Sequence, residues 1–180
     1  MPVDALPAWH ETGRHENAGH GRPRCAGTVA DMAAEITGEY VPSSSDWVRE
    51  QVETYERSGG TEANTLMETG IPVIIVTMRG AKSGKVRKIA LMRVEHEGSY
   101  ALVASKGGAP ENPEWYTNLV ANPTEVTVQD GPEPFFVTVR EVEGDERKAW
   151  WERAVAVFPP YAEYEAKTDR LIPVLVADPA

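Results

Sequence analysis

The hydrophobic and polar positions of this chain change period several times, and each change marks an element. After Ser43-Ser44-Ser45-Asp46, the residues Trp47, Val48, Val52 and Tyr55 fall roughly on one face of a helix, while Arg49, Glu50, Glu53 and Glu56 turn away from it. Ser45 or Asp46 can cap that helix, and Ser58-Gly59-Gly60 stops it after Arg57. From Ile71 the pattern becomes β. The run Val73 to Met78 is continuously apolar and β-branched, the mark of a buried strand. Gly80 to Gly84 makes a tight turn, Val86 to Glu95 is the partner strand, Glu97-Gly98 is a second turn, and Ser99 to Ser105 returns. Asn112 to Asn122 reads as a helix, with Asn112 as N-cap and Pro113 at its first position. Two more strands, Glu125 to Gln129 and Pro134 to Val142, flank Asp130-Gly131. A helix runs from Gly144 to about Val157, Pro159-Pro160 breaks it, a short helical stretch reaches about Lys167, and Leu171 to Val176 is the last strand.

About six strands, mostly hairpin-linked, with three or four helices around them, predict an α+β protein built on an antiparallel barrel. The alternation of a parallel doubly wound sheet is missing. Residues 1–45 are expected to be a disordered extension, with the domain spanning 46–180. Within the first 31 residues Gly, Pro and three histidines (His10, His15, His20) recur without a sustained period, and the native start is expected at Met32. The spacing of those histidines suits neither a helix face nor a strand face, so no metal site is expected there.

Composition narrows the function. No apolar run is long enough to span a bilayer, and no secretory leader is visible, so a cytoplasmic protein is expected. Cys25 is the single cysteine, which excludes an intramolecular disulfide and a cysteine-built zinc site. The net charge of −10 argues against nucleic acid as a partner. That charge is unevenly spread. Arg79, Lys82, Lys85, Arg87, Lys88, Arg93 and Lys106 face only Glu95 and Glu97 between positions 79 and 106, so this segment is +5 in an acidic protein. A concentrated basic segment fits either a specific anionic ligand or a solvated strand face.

Four segments can carry chemistry. The first, Arg79 to Lys88, contains Gly80-Ala81-Lys82-Ser83-Gly84, whose spacing is not that of a nucleotide-binding P-loop and which leads into a strand. It is a hairpin turn with backbone N–H groups, a hydroxyl and cations, able to hold a phosphate or polycarboxylate, or simply a charged tip. The second, Ala104-Ser105-Lys106-Gly107-Gly108, ends a strand with glycines that let backbone approach a planar ligand. The third, Asn112 to Leu119, places Trp115 and Asn118 one turn apart, an aromatic beside an amide. The fourth, Phe158 to Tyr164, sets Tyr161 and Tyr164 at i and i+3, where two phenols can line a pocket or donate a proton.

In this order and spacing the segments resemble the deazaflavin-dependent nitroreductase family. The resemblance covers roughly Trp47 to Val176 and is carried by G-A-K-S-G-K-V-R (80–87), A-S-K-G-G (104–108), N-P-E-W-Y-T-N-L (112–119), A-N-P (121–123) and Y-A-E-Y-E-A-K-T-D-R-L-I-P-V (161–174). It implies a split β-barrel like those that bind flavins, with reduced coenzyme F420 as cofactor and FMN less suited. By that resemblance Ala81, Lys82, Ser83, Arg87 and Lys88 meet the phosphate and polyglutamate tail, and Ile89, Ala90, Leu91 and Met92 run along the cofactor. Val103, Ala104, Ser105 and Lys106 bond the ring and its ribityl chain, and Glu114, Trp115, Tyr116, Thr117 and Asn118 flank it. Tyr161, Tyr164 and Ser105 stand where a hydride acceptor would be protonated. The implied reaction is hydride transfer to a quinone or nitro-type acceptor. Ala81 stands where a relative can carry a second basic residue, and Met92 and Phe158 where the best-known nitroreductase can carry tyrosine. Fewer phenols weaken the case for bicyclic nitroimidazoles as substrates. The competing expectations are a non-catalytic carrier of the deazaflavin or a fatty acid, and an FMN enzyme of the same barrel. Peripheral membrane contact and oligomeric state stay open.

Overall fold

A computed structural model describes residues 34–180. The expectations for a start at Met32, for Cys25 and for the three early histidines lie outside those residues. The described chain forms α1 (Asp46–Arg57), β1 (Val73–Arg79), β2 (Val86–Met92), β3 (Glu95–His96), β4 (Ser99–Val103), α2 (Glu114–Ala121), β5 (Val126–Gln129), β6 (Pro134–Glu141), α3 (Gly144–Val157), α4 (Pro160–Ala166) and β7 (Val174–Pro179). All strand pairs are antiparallel, in the order β2-β1-β5-β6-β7-β4-β3.

The strand expected from Val86 to Glu95 is two strands. Arg93 still donates its N–H to the Pro72 carbonyl beside β1 (2.8 Å), whereas the Val94 carbonyl already accepts from Ala101 of β4 (2.8 Å). The chain thus hands over from one edge of the sheet to the other within two residues, and this curls the sheet into a split barrel. Asp130 pins the hand-over: its Oδ2 accepts from Arg93 Nε (2.7 Å) and from the Tyr100 hydroxyl (2.9 Å). Glu97-Gly98 is the two-residue turn the sequence predicts, with both φ angles positive as such hairpins require (52° and 83°).

Strand alternation sorts the apolar residues onto two faces. The inner face gathers Ile74, Val76, Met78, Tyr100, Leu102, Val126, Val128, Val137, Val139 and Leu175, closed by Leu119 of α2 with Trp115 and Tyr116. The outer face is covered in two places. Val52 and Tyr55 of α1 pack on Val73 and Ile75, while Trp47 of the same predicted face stays 49% exposed. Trp150 and Ala154 of α3 and Tyr161 of α4 pack on Ala101, Val103, Val174 and Val176.

Three boundaries differ from the sequence expectation. The last strand begins at Val174, not Leu171, because Pro173 has no N–H for a ladder and Leu171 is 68% exposed. Asn112 does not cap α2: the N-cap position is Pro113 without a side-chain bond, and Asn112 Oδ1 accepts instead from Arg170 Nη1 (2.6 Å). Residues 34–45, expected to be disordered, include a strap along β2. Val86 N–H donates to the Glu39 carbonyl (2.9 Å) and Val41 N–H to the Val86 carbonyl (3.0 Å), covering part of a free sheet edge.

Candidate functional site

The basic hairpin is tight at its base. Gly80 N–H donates to the Lys85 carbonyl and Gly84 N–H to the Gly80 carbonyl (2.8 and 2.9 Å). A side chain at Gly80 would meet Ser83 Oγ at 2.8 Å and approach Arg87, so glycine lets the loop fold against its own cations. The loop is tied to α2: Asn118 Oδ1 accepts from the Ala81 N–H (2.9 Å), and Asn122 Nδ2 donates to the Arg79 carbonyl (3.2 Å). The structure therefore brings the first and third candidate segments together.

Charge pairing separates the seven cations. Arg79 bonds Glu125, Lys85 bonds Glu39 (2.9 Å), Lys88 bonds Glu56 (2.6 Å), Arg93 bonds Asp130 (2.7 Å) and Lys106 bonds Glu111 (3.4 Å). Lys82 and Arg87 have no carboxylate partner among the described residues; Arg87 reaches only the Val41 carbonyl, at 3.5 Å. Alternation along β2 divides the predicted contacts further. Ile89 and Leu91 turn to the inner core beside Trp115, Ala90 packs under α1, and Lys88 sits beneath the Tyr40 ring at 5.0 Å. Lys88 and Ala90 are thus on the face opposite the hairpin–α2 group. On α2, Glu114 and Thr117 are exposed, and the Tyr116 hydroxyl donates to Glu141 (2.8 Å); burial, helped by that bond, pushes the Tyr116 pKa up to about 12.

The second and fourth segments also meet. Val103 lies in the outer core with Tyr161, and Met92, Phe158 and Tyr164 pack against that core. Phe158 and Tyr161 meet edge to face with centroids 4.9 Å apart, and Tyr161 and Tyr164 are 6.3 Å apart. Burial raises the Tyr161 pKa, so its phenol stays protonated at neutral pH. Gly108 lets the β4 exit touch α4, since a Cβ there would lie 2.7 Å from the Tyr164 carbonyl oxygen. Ser105 is 8% exposed, and Lys106 and Gly107 follow with φ of 46° and 65°. One organising residue was invisible to motif reasoning. Arg170 bonds the carbonyls of Ala104, Ser105 and Ala109 together with Asn112, joining the β4 exit to the start of α2. It stands inside the 161–174 motif, but only its contacts reveal its role.

A cavity of about 320 Å³ lies elsewhere, under the strap, lined by Ile36, Tyr40, Glu56, Thr77, Lys88 and Thr127 among others. Of the predicted site residues it includes only Lys88. Among the described residues, no group of three or more His, Cys, Asp or Glu could hold a metal, and no helix is long and apolar enough to cross a membrane.

Among the described residues the split barrel presents two cations without a carboxylate partner on its glycine-cornered hairpin, an aromatic helix and an aromatic cluster around the buried Tyr161, an arrangement suited to an anionic, ring-bearing ligand. The chain belongs to the family described as F420H(2)-dependent quinone reductase, whose model matches residues 47–179. A quinone reductase of this kind from Mycobacterium tuberculosis is 36% identical over 108 residues, 58% of this chain and 72% of the relative. Among solved structures, an F420-H2 dependent reductase is 57% identical, covers 59% of this chain and 94% of its own, and has a TM-score of 0.56. Another, described as a domain-swapped dimer, is 52% identical, covers 76% and 100%, and has a TM-score of 0.58. Coenzyme F420 is accordingly the cofactor, and the chain is an F420-dependent reductase of α+β split-barrel fold. The residues fit the group: free cations suit its anionic tail, and apolar and aromatic side chains suit its ring.

Proposed function

We propose that this chain reduces quinones with F420, nitro compounds being adventitious acceptors. The observation that carries the reading is the pairing pattern, which among the described residues leaves Lys82 of the hairpin turn and Arg87 of β2 as the cations of the basic segment without an acid, beside a turn bonded to α2. Lys82, Ser83 and Arg87 hold the phosphate and tail. Ile89, Leu91 and Trp115 flank the cofactor, Asn118 steadies the hairpin, and the Val103–Lys106 strand end meets the ring's polar edge. When bound, the reduced deazaflavin supplies a hydride, and the protein supplies orientation and electrostatics. The acceptor rests against Met92, Phe158, Tyr161 and Tyr164, an apolar surface that suits a quinone ring. Negative charge grows on the acceptor oxygen as hydride arrives, and the neutral Tyr161 phenol or the Ser105 hydroxyl donates to it. The test is oxidation of reduced F420 by menadione, followed by the absorbance of the oxidised deazaflavin. Saturable turnover is the expected result; tight binding without turnover across a quinone panel would establish a carrier instead. Nitroimidazoles should react more slowly than quinones, since Met92 and Phe158 add no phenol to the pocket.

A further inference from the structure

The Arg170 guanidinium is spent on neutral oxygens. Nη2 donates to the carbonyls of Ala104 (3.1 Å) and Ser105 (2.9 Å), Nε to that of Ala109 (2.8 Å) and Nη1 to Asn112 Oδ1 (2.6 Å). Burial lowers its pKa, and no acid among the described residues pairs with it. The clamp also orients peptide planes. In a trans peptide the C=O and the following N–H point in opposite directions. Turning the Ser105 carbonyl toward Arg170 therefore turns the Lys106 N–H away from it. Neighbouring N–H groups are used: Ser105 donates to Val103, Gly108 to Ser105 and Ala109 to Lys106. The N–H groups of Lys106 and Gly107 have no acceptor among the described residues, and the Cβ direction of Gly107 opens onto empty space. Lys106 adopts a left-handed φ of 46°, a conformation that costs a residue with a side chain and persists only where its surroundings hold it.

We infer that Arg170 is a positioning residue for hydride transfer: by holding the Ser105 carbonyl it fixes the Lys106 N–H, which with the Gly107 N–H, set by the bond from Ala109 N–H to the Lys106 carbonyl, forms a pair of donors to the polar edge of the bound deazaflavin. This rests on the ring placement proposed above. It differs from a plain structural clamp in requiring that the freed N–H groups meet a ligand.

The test uses full-length protein and oxidised F420. In the wild type, hydrogen–deuterium exchange is measured with and without cofactor. Protection at both 80–88 and 105–108 is expected. Protection at 80–88 without any at 105–108 overturns the inference while leaving the tail site standing; protection at neither overturns the reading beneath it. Arg170→Lys keeps the charge but loses the fork. Its exchange at 105–108 should quicken, its cofactor Kd should rise about tenfold for the loss of charge-assisted bonds, and its kcat should fall while KM for menadione holds. The salt dependence of binding should match wild type, because tail contacts are untouched. Faster exchange with unchanged Kd and kcat would show a structural clamp only and overturn the inference. Arg170→Ala adds a rescue arm: methylguanidinium should restore part of the lost kcat, and rescue of thermal stability alone would count against the inference.

Discussion

Replacing Lys82 and Arg87 by alanine together asks whether the unpaired cations hold the anionic tail. Neither removal breaks an ion pair among the described residues, so the folded protein should lose little stability. Each contact to a phosphate or carboxylate is a charge-assisted hydrogen bond, worth about 1.5–3 kcal/mol when sheltered. Lys82 is exposed and Arg87 only partly buried, so solvent screening brings each nearer to about 1.4 kcal/mol, or tenfold in affinity. The double variant should therefore bind F420 roughly a hundredfold more weakly if the two contributions add. Raising salt from about 0.1 M to 1 M shortens the screening length from about 10 Å to 3 Å and should weaken wild-type binding more than it weakens the double variant. Fluorescence titration of the oxidised cofactor measures both effects. Lys88→Ala is the contrast: it strips the partner from Glu56 and the cation from the Tyr40 ring, so it should cost about 1 kcal/mol of stability and leave affinity near wild type. The reasoning fails if the double variant binds within threefold of wild type. It fails also if Lys88→Ala weakens binding as much, for the tail would then displace Glu56 and the pairing pattern would carry no information.

Three further outcomes follow from the geometry. Gly108→Ala puts a methyl 2.7 Å from the Tyr164 carbonyl oxygen at a φ of 80°, so it should destabilise the fold by about 2 kcal/mol or more and lower turnover by parting the β4 exit from α4; Tm and menadione kinetics check it. Tyr161→Phe keeps the ring and removes the donor, so kcat should fall roughly tenfold or more with KM little changed, and an unchanged kcat would remove Tyr161 from the proton's route. Burial, with the Asp130 hydrogen bond, pushes the Tyr100 pKa up from 10.0 to about 12, and burial raises that of Tyr161. Raised phenol pKa values stabilise the fold fully below pH 10.0, and this stability drains away as pH rises toward the folded values; Tm scanned from pH 8 to 12 should fall steeply above 10, and less so in Tyr100→Phe.

Much of the fold was legible because local rules and tertiary packing agree. The Val73–Met78 run is buried on both faces, under α1 and against α2, which is why it shows no alternation. The Glu97-Gly98 turn needs two positive φ angles; Gly98 supplies one by type, and the Glu95 side chain, accepting the Gly98 N–H at 2.8 Å, braces the turn in which Glu97 takes the other. The failures lie where a distant partner overrides a local preference. Asn112 is a good cap by type, yet a guanidinium 58 positions away takes its oxygen. The Val86–Glu95 run has strand character throughout, and only the competition of β1 and β4 for its backbone splits it. The strap at 37–41 has little apolar pattern of its own, because its order comes from backbone bonds to Val86 and from Glu39 meeting Lys85.

The basic segment itself shows why composition stopped short of the site. Seven cations in an acidic protein suggest an anion site, but a positive count does not say which charges are available. Five are answered by acids from positions that no local pattern connects to them: Glu39, Glu56, Glu111, Glu125 and Asp130. Those pairs pin the hairpin, the α1 contact, the barrel hand-over and the β4 exit to their surroundings. The surplus charge thus serves two tasks. Most of it fixes the walls, and what the described acids leave unanswered, at Lys82 and Arg87, is the charge that the proposed tail site uses. A bound polyanion needs cations already held in place, since ordering long side chains on binding would consume much of the attraction. The neighbouring pairs, the Gly80 corner and the Asn118 bond hold the backbone that carries these cations, so that only their side chains remain to be ordered when the ligand arrives. By this logic, adding an acid beside Arg87 should damage cofactor binding more than deleting a paired lysine would.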